Sequence, residues 1–97
     1  MKQIMLGRLY DTEKAFLLGE GTVESTGYFK KTEKLYVTKN NRFFVQADIE
    51  KVTGEFDEKL QRESYLENIN ETTALRKCEQ FSVSLEIILK YFQVEEA

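Results

Sequence analysis

The chain of 97 residues has no histidine, no proline and no tryptophan, and its one cysteine is Cys78. Without histidine there is no Ser-His-Asp triad and no side chain whose ordinary pKa supplies a general base near neutrality. A lone thiol forms no internal disulfide, and with no imidazole to join it makes no zinc site. Cys78 therefore reads as a small buried hydrophobe in a reducing compartment. Without proline, no Pro-rich linker divides the chain. Four of the five glycines lie within the first third, where turns should be dense. No run of ~18 apolar residues is present, so no membrane span is expected. Met1–Leu6 offers no apolar region of signal-peptide length, which makes the cytoplasm the expected location. No phosphate-cradling GxxxxGK[ST] occurs, and Gly19-Glu20-Gly21-Thr22 is too short to replace it. No cofactor or metal is expected.

What is there suits one folded domain spanning 1–97. A chain of this length buries roughly 60–70% of its unfolded surface, enough for a core. Its composition, 41% hydrophobic and 32% charged, is that of a globular protein. Residues 2–6 read as a first strand. Asp11 or Thr12 can cap one helical turn, because a short side-chain oxygen accepts an otherwise orphan backbone N–H. Ala15–Glu20 reads as a short buried strand with Gly19 and Gly21 marking a bulge or its end, and 21–28 as turn-rich.

The best-determined element is a hairpin over Leu35–Val45. On its return strand Phe43, Val45, Ala47 and Ile49 alternate with Phe44, Gln46, Asp48 and Glu50, a period of two with one apolar face. Leu35 and Val37 alternate with Lys34, Tyr36 and Thr38 on the outgoing strand. A two-residue loop would pair Val37 with Phe44 and mismatch the faces. A three-residue loop, Lys39-Asn40-Asn41, pairs Val37 with Phe43 and Leu35 with Val45, and the apolar faces agree. Such a loop is a type I turn followed by a left-handed residue. Asn tolerates that conformation better than most, so φ > 0 is expected at Asn41.

After Gly54 the texture changes. Phe56, Leu60, Leu66 and Ile69 stand at roughly helical spacing among good helix formers, with Asp57 and Glu58 in the first turn. This predicts a helix over about 56–68. Residues 70–82 stay open: Thr72 or Thr73 can cap a further turn, and 77–82 fits a strand equally. Ser84 is a natural N-cap, and Leu85, Ile88, Leu89 and Phe92 form an apolar stripe, predicting a second helix over about 84–93. Strands first and helices later give an α+β fold: a small antiparallel sheet with a central β-hairpin and both helices on one face.

Charge is unevenly distributed. Residues 1–42 carry eight Lys/Arg against five Asp/Glu, and residues 43–97 carry six against twelve. Between 28 and 44, Lys30, Lys31, Lys34, Lys39 and Arg42 face one acid, Glu33, with Tyr36 and Phe44 interleaved. Cations track phosphates, and exposed rings stack unpaired bases. The set Lys30, Lys31, Lys34, Tyr36, Lys39, Arg42 and Phe44 is thus a candidate RNA or partner surface; the competing account is an edge protected by lysines, with its rings packed under another element. Glu58, Glu63 and Glu67 form an alternative acidic surface able to imitate a phosphate backbone. Asp48 and Glu50, on one strand face, are a weak cation-binding signal outweighed by ordinary surface charge.

Two segments carry a family resemblance. Tyr10-Asp11-Thr12-Glu13-Lys14-Ala15, followed by Leu35-Tyr36-Val37-Thr38-Lys39-Asn40-Asn41-Arg42-Phe43-Phe44, resembles the pattern Y-D-T-E-x-A … L-Y-x-T-K-x-G-x-[WF]-F. That pattern belongs to small proteins carried by phages and plasmids of Gram-positive bacteria. Asn41 stands where the family commonly has glycine. The resemblance spans about residues 3–49, and the Gly-rich segment that usually follows is not reproduced by Val52–Asn70. Some relatives of this type are anti-CRISPR proteins that inhibit type II-A RNA-guided nucleases through the guide RNA or assembly of the nuclease–guide complex, and at least one longer relative is linked to guide shortening. The resemblance thus implies a non-enzymatic CRISPR–Cas inhibitor from a mobile genetic element, with a type II CRISPR nuclease, its guide RNA or both as partners. Two other classes stand beside it: a carboxylate- and metal-dependent nuclease acting on guide RNA, and a structural or regulatory phage protein, for which a homodimer through a sheet edge is an option.

Overall fold

A computed structural model describes residues 1–54 and 59–97. Strands β1 (Lys2–Met5) and β2 (Arg8–Asp11) form a two-stranded antiparallel ribbon. Strands β3 (Phe16–Ser25), β4 (Phe29–Val37), β5 (Phe43–Thr53) and β6 (Lys59–Ile69) form a four-stranded antiparallel meander in chain order. Helices α1 (Glu71–Gln80) and α2 (Leu85–Tyr91) close the chain. The architecture is α+β, with both helices on one face of the sheet.

The β4–β5 hairpin has the register that side-chain alternation requires. Leu35 pairs with Val45 and Val37 with Phe43. The Thr38 N–H donates to the Arg42 carbonyl at 2.8 Å and the Asn41 N–H to the Thr38 carbonyl at 2.9 Å. Asn41 has φ 58°, the left-handed conformation the three-residue loop demands.

Odd-numbered residues of β4 and β5 face the helices. Leu18, Leu35, Val37, Phe43 and Val45 pack against Ala74 and Cys78 of α1 and against Phe92, whose ring stacks on Phe43 at 4.8 Å. Glu33 is buried on the same face. It is paired with Lys77 of α1 and lies 3.8 Å from Lys31, so its charge is compensated where solvent is excluded.

Several expectations are corrected. Residues 59–68, expected as most of a helix, form a strand, and 56–58 lie outside the described residues. All eleven residues of β6 pair in unbroken register with β5. A helix there would leave the outer edge of β5 without hydrogen-bond partners, and that tertiary demand overrides local propensity. Residues 21–25 continue β3 instead of turning, with bulges between Leu17 and Gly19 and between Thr22 and Glu24. The ambiguous 70–82 segment is helical. Its cap is Asn70, whose Oδ1 accepts the Thr73 N–H at 2.8 Å; neither Thr72 nor Thr73 serves. The helix closes with Ser82 at φ 54°, the Val83 N–H reaching the Cys78 carbonyl at 2.9 Å and the Ser82 N–H the Glu79 carbonyl at 3.3 Å, a Schellman motif built without glycine.

Ser84 caps α2 as expected. Its buried side is rotated from the expected stripe: Leu85 and Leu89 are 69% and 56% exposed, while Ile87 and Tyr91 pack with Ile88 and Phe92. The connection between the helices lies directly on β3. A Cβ added to Gly19 would approach Val83 Cγ2 to 2.7 Å, and one on Gly21 would approach the Phe81 ring to 2.8 Å. These two glycines serve close approach of backbone and side chain, not a ligand.

Candidate functional site

The even-numbered face of the β4–β5 hairpin is closed. Tyr36 and Phe44, expected as contact residues, are 8% and 0% exposed. Their rings stack at 5.1 Å, and Tyr10 meets Phe44 edge-on at 5.2 Å. Leu66 completes this second core, with Met5 and Ala15 at its margin. The cover is the β1–β2 ribbon, turned by Leu6 at φ 52° and Gly7 at φ 73°. Two successive positive φ values match a tight two-residue hairpin turn. The rings are therefore core residues, and no base can stack on them.

The basic residues do not converge as a single patch. Lys30, Lys31 and Lys34 lie along β4 on alternating faces. Lys30 is opposite Glu50, Lys34 is opposite Glu20, and Lys31 approaches Glu33. Lys31 also sits over the Tyr65 ring at 5.7 Å. Its pKa is raised, first by the Tyr65 side chain and further by Glu33 and Glu67, against the opposing effect of desolvation. This contribution to stability is fully present below the ordinary lysine range and is lost only as pH rises through the raised value. Among the described residues only Lys31 of the three is ion-paired; Lys30 and Lys34 are spread along β4 and stand outside the groove that Lys39 and Arg42 line.

Lys39 and Arg42 behave differently. With Arg8 and Lys14 they line a groove of about 480 Å³ between the β1–β2 ribbon and the β4–β5 tip. Leu9, Tyr10, Asp11, Ala15, Thr38 and Asn40 complete its wall. Its one lining carboxylate, Asp11, is buried and accepts the Glu13 N–H at 3.0 Å, capping the single turn that carries Lys14. Among the described residues none of the four cations is ion-paired. Four unpaired positive charges in a concave wall concentrate potential and attract anions.

Arg8 and Lys14 were not in the candidate set. The signal for them was the Leu6-Gly7 turn, which makes residues 2–11 a second hairpin and brings Arg8 back toward the Asn41 loop. Thr38 positions the loop itself, its Oγ1 accepting the Arg42 N–H at 3.1 Å.

The acidic alternative is also rearranged. Glu63 and Glu67 are exposed on one face of β6, about 13 Å apart along the strand instead of one helical turn apart. Glu58 lies outside the described residues. Asp48 accepts from Ser64 Oγ and from Gln46 Nε2 at 3.2 Å, and Glu50 lies 3.6 Å from Arg62 Nε. Both carboxylates are thus committed to neighbours. Among the described residues no three Cys, Asp or Glu side chains are grouped to hold a metal ion. No described helix is long and apolar enough to cross a membrane. Comparison of the chain with family models, with curated proteins and with solved structures finds no match. The family resemblance rests on residues 10–15 and 35–44 themselves.

Proposed function

We propose that the protein acts by binding, as an inhibitor that keeps a type II-A RNA-guided nuclease from loading its guide RNA in the bacterial cytoplasm. In this reading the groove of Arg8, Lys14, Lys39 and Arg42 takes the phosphate backbone of the guide. The convergence of four unpaired cations on one concave wall is the observation that supports it. The resemblance of the same segments, 10–15 and 35–44, to inhibitors of such nucleases names the partner. Lys14, Lys39 and Arg42 lie within those segments, and Arg8 stands two residues before the first of them.

The chemistry of the wall sets the mode of contact. Tyr10, the one aromatic residue of the wall, is buried, as are Tyr36 and Phe44 behind it, so the groove offers no aromatic platform to bases. Cations with flexible stems contact phosphate oxygens without reading sequence. Binding should therefore follow charge and be lost as salt rises.

The test is an electrophoretic shift of guide RNA, alone and with the nuclease, alongside target cleavage. Expected are a shifted guide and loss of cleavage when the protein is added before the guide, with little loss once the nuclease–guide complex has formed. The guide should stay full-length after long incubation with magnesium; shortening would favour the nuclease alternative. Binding to the nuclease without binding to RNA would overturn the phosphate assignment. Unimpaired cleavage in both orders of addition would overturn the inhibitor reading.

A further inference from the structure

The two edges of the meander differ. The outer edge of β3 is interrupted by two bulges and carries Gly19 and Gly21 under the helix connection. Bulges re-aim an edge and discourage pairing. The outer edge of β6 has no such interruption. It is eleven residues long, contains neither glycine nor proline, and is in regular register along its whole length. Among the described residues it has no strand partner on its outer side. Helix α1 packs chiefly on β3, β4 and β5, and on the opposite face β1 packs against β6, with Met5 at the margin of the core that holds Leu66.

The charges on this edge are self-complementary. Lys59 stands at one end and Glu67 near the other. We propose that β6 pairs antiparallel with β6 of a second copy of this chain, about a two-fold axis at Glu63, joining two meanders into one eight-stranded sheet. Residues opposite each other then share a face, as a continuous sheet requires. Lys59 of each copy lies opposite Glu67 of the other, giving two cross-strand ion pairs. Leu60 lies opposite Leu66. Leu60 is 54% exposed and shares the face of Leu66, which belongs to the second core. Pairing carries Leu60 to the flank of that core.

A two-fold at Ser64 instead sets Lys59 opposite Ile69 and Leu60 opposite Asn68. One at Arg62 sets Lys59 opposite Tyr65 and Leu60 opposite Ser64. Both forfeit the ion pairs and the leucine pair together. The register at Glu63 has one unfavourable feature, Glu63 opposite its own copy. That carboxylate pair limits affinity, and its removal should strengthen the dimer.

Sedimentation of the full chain from micromolar to near-millimolar concentration tests the proposal, with circular dichroism melts to verify that each variant is folded. The mass should rise from one chain toward two. Lys59→Glu sets like charges opposite each other at both ends and should weaken association by about tenfold or more. The double exchange Lys59→Glu with Glu67→Lys should restore it, and Glu63→Gln should tighten it. A mass of one chain throughout overturns the proposal. So does a dimer indifferent to Lys59→Glu, or a double exchange as weak as the single one. None of these residues lines the groove, so the outcome is independent of RNA binding.

Discussion

The two faces of the four-stranded sheet are covered in different ways. On one face, two capped helices seal an aliphatic core of Leu18, Leu35, Val37 and Val45, fastened by the buried Glu33–Lys77 pair. On the other, a ribbon of two four-residue strands lays its own Tyr10 against the Tyr36 and Phe44 rings and Leu66. An isolated two-stranded hairpin is marginal in water. The ribbon is held by what Tyr10 and Met5 bury beneath it. The groove opens at the margin of this thinner cover, with Arg8 supplied by β2, Lys14 by the turn that follows β2, and Lys39 and Arg42 by the β4–β5 tip. On the proposed reading, the difference implies that stability and binding should be separable. The helix face maintains the fold, and the ribbon face positions the cations.

The comparison is broken most severely on the helix face. Leu35 is fully buried, and Leu35→Ala should cost about 3 kcal/mol through lost transfer energy and a residual cavity. Urea denaturation should show this as a lower midpoint. RNA affinity per folded molecule should be unchanged.

Tyr10→Ala should reverse that pattern. It removes the edge-on ring from Phe44 at the foot of the ribbon, for about 2 kcal/mol, because the ribbon can detach without unfolding the sheet. Amide exchange in 2–11 should accelerate well beyond that of β4 and β5, and RNA binding should fall. Global destabilisation as large as that of Leu35→Ala, with binding intact, would contradict the division between faces.

Gly21→Ala should cost about 1–2 kcal/mol, because the new Cβ meets the Phe81 ring at 2.8 Å. The loss should appear in thermal melts without a change in RNA affinity. The smallest effect concerns Cys78. Burial pushes its thiol pKa up, with a lesser contribution from Glu79, so the neutral form is favoured in the fold. The associated stability is present below the ordinary thiol range and is lost as pH rises through the raised value. A thiol-specific disulfide reagent at neutral pH should label the native protein negligibly and the urea-unfolded protein fully.

The hairpin at Leu35–Val45 was legible because alternation and a left-handed Asn41 over-determine one register. Ser84 was legible as a cap for a similarly local reason. The strand nature of 59–69 was not, because its Glu, Lys and Leu content favours a helix and only the unpaired edge of β5 decides otherwise. The Asn70 cap was hidden behind two threonines that looked equally suitable. Burial of Tyr36 and Phe44 depends on a ribbon some thirty residues away in sequence, which local patterning cannot place over them. The candidate site was half legible. Lys39 and Arg42 stood out at the loop, whereas Arg8 and Lys14 join them only through tertiary packing.

The most direct measurement of the central claim is the salt dependence of guide-RNA binding. Four cations on a single-stranded backbone predict a slope of log K against log salt of about −3, reduced by about 0.7 for each of Arg8, Lys14, Lys39 and Arg42 replaced by alanine. Replacement of Lys30 or Lys34 should leave the slope nearly unchanged. A slope indifferent to all four groove residues, or no binding at low salt, would contradict the account.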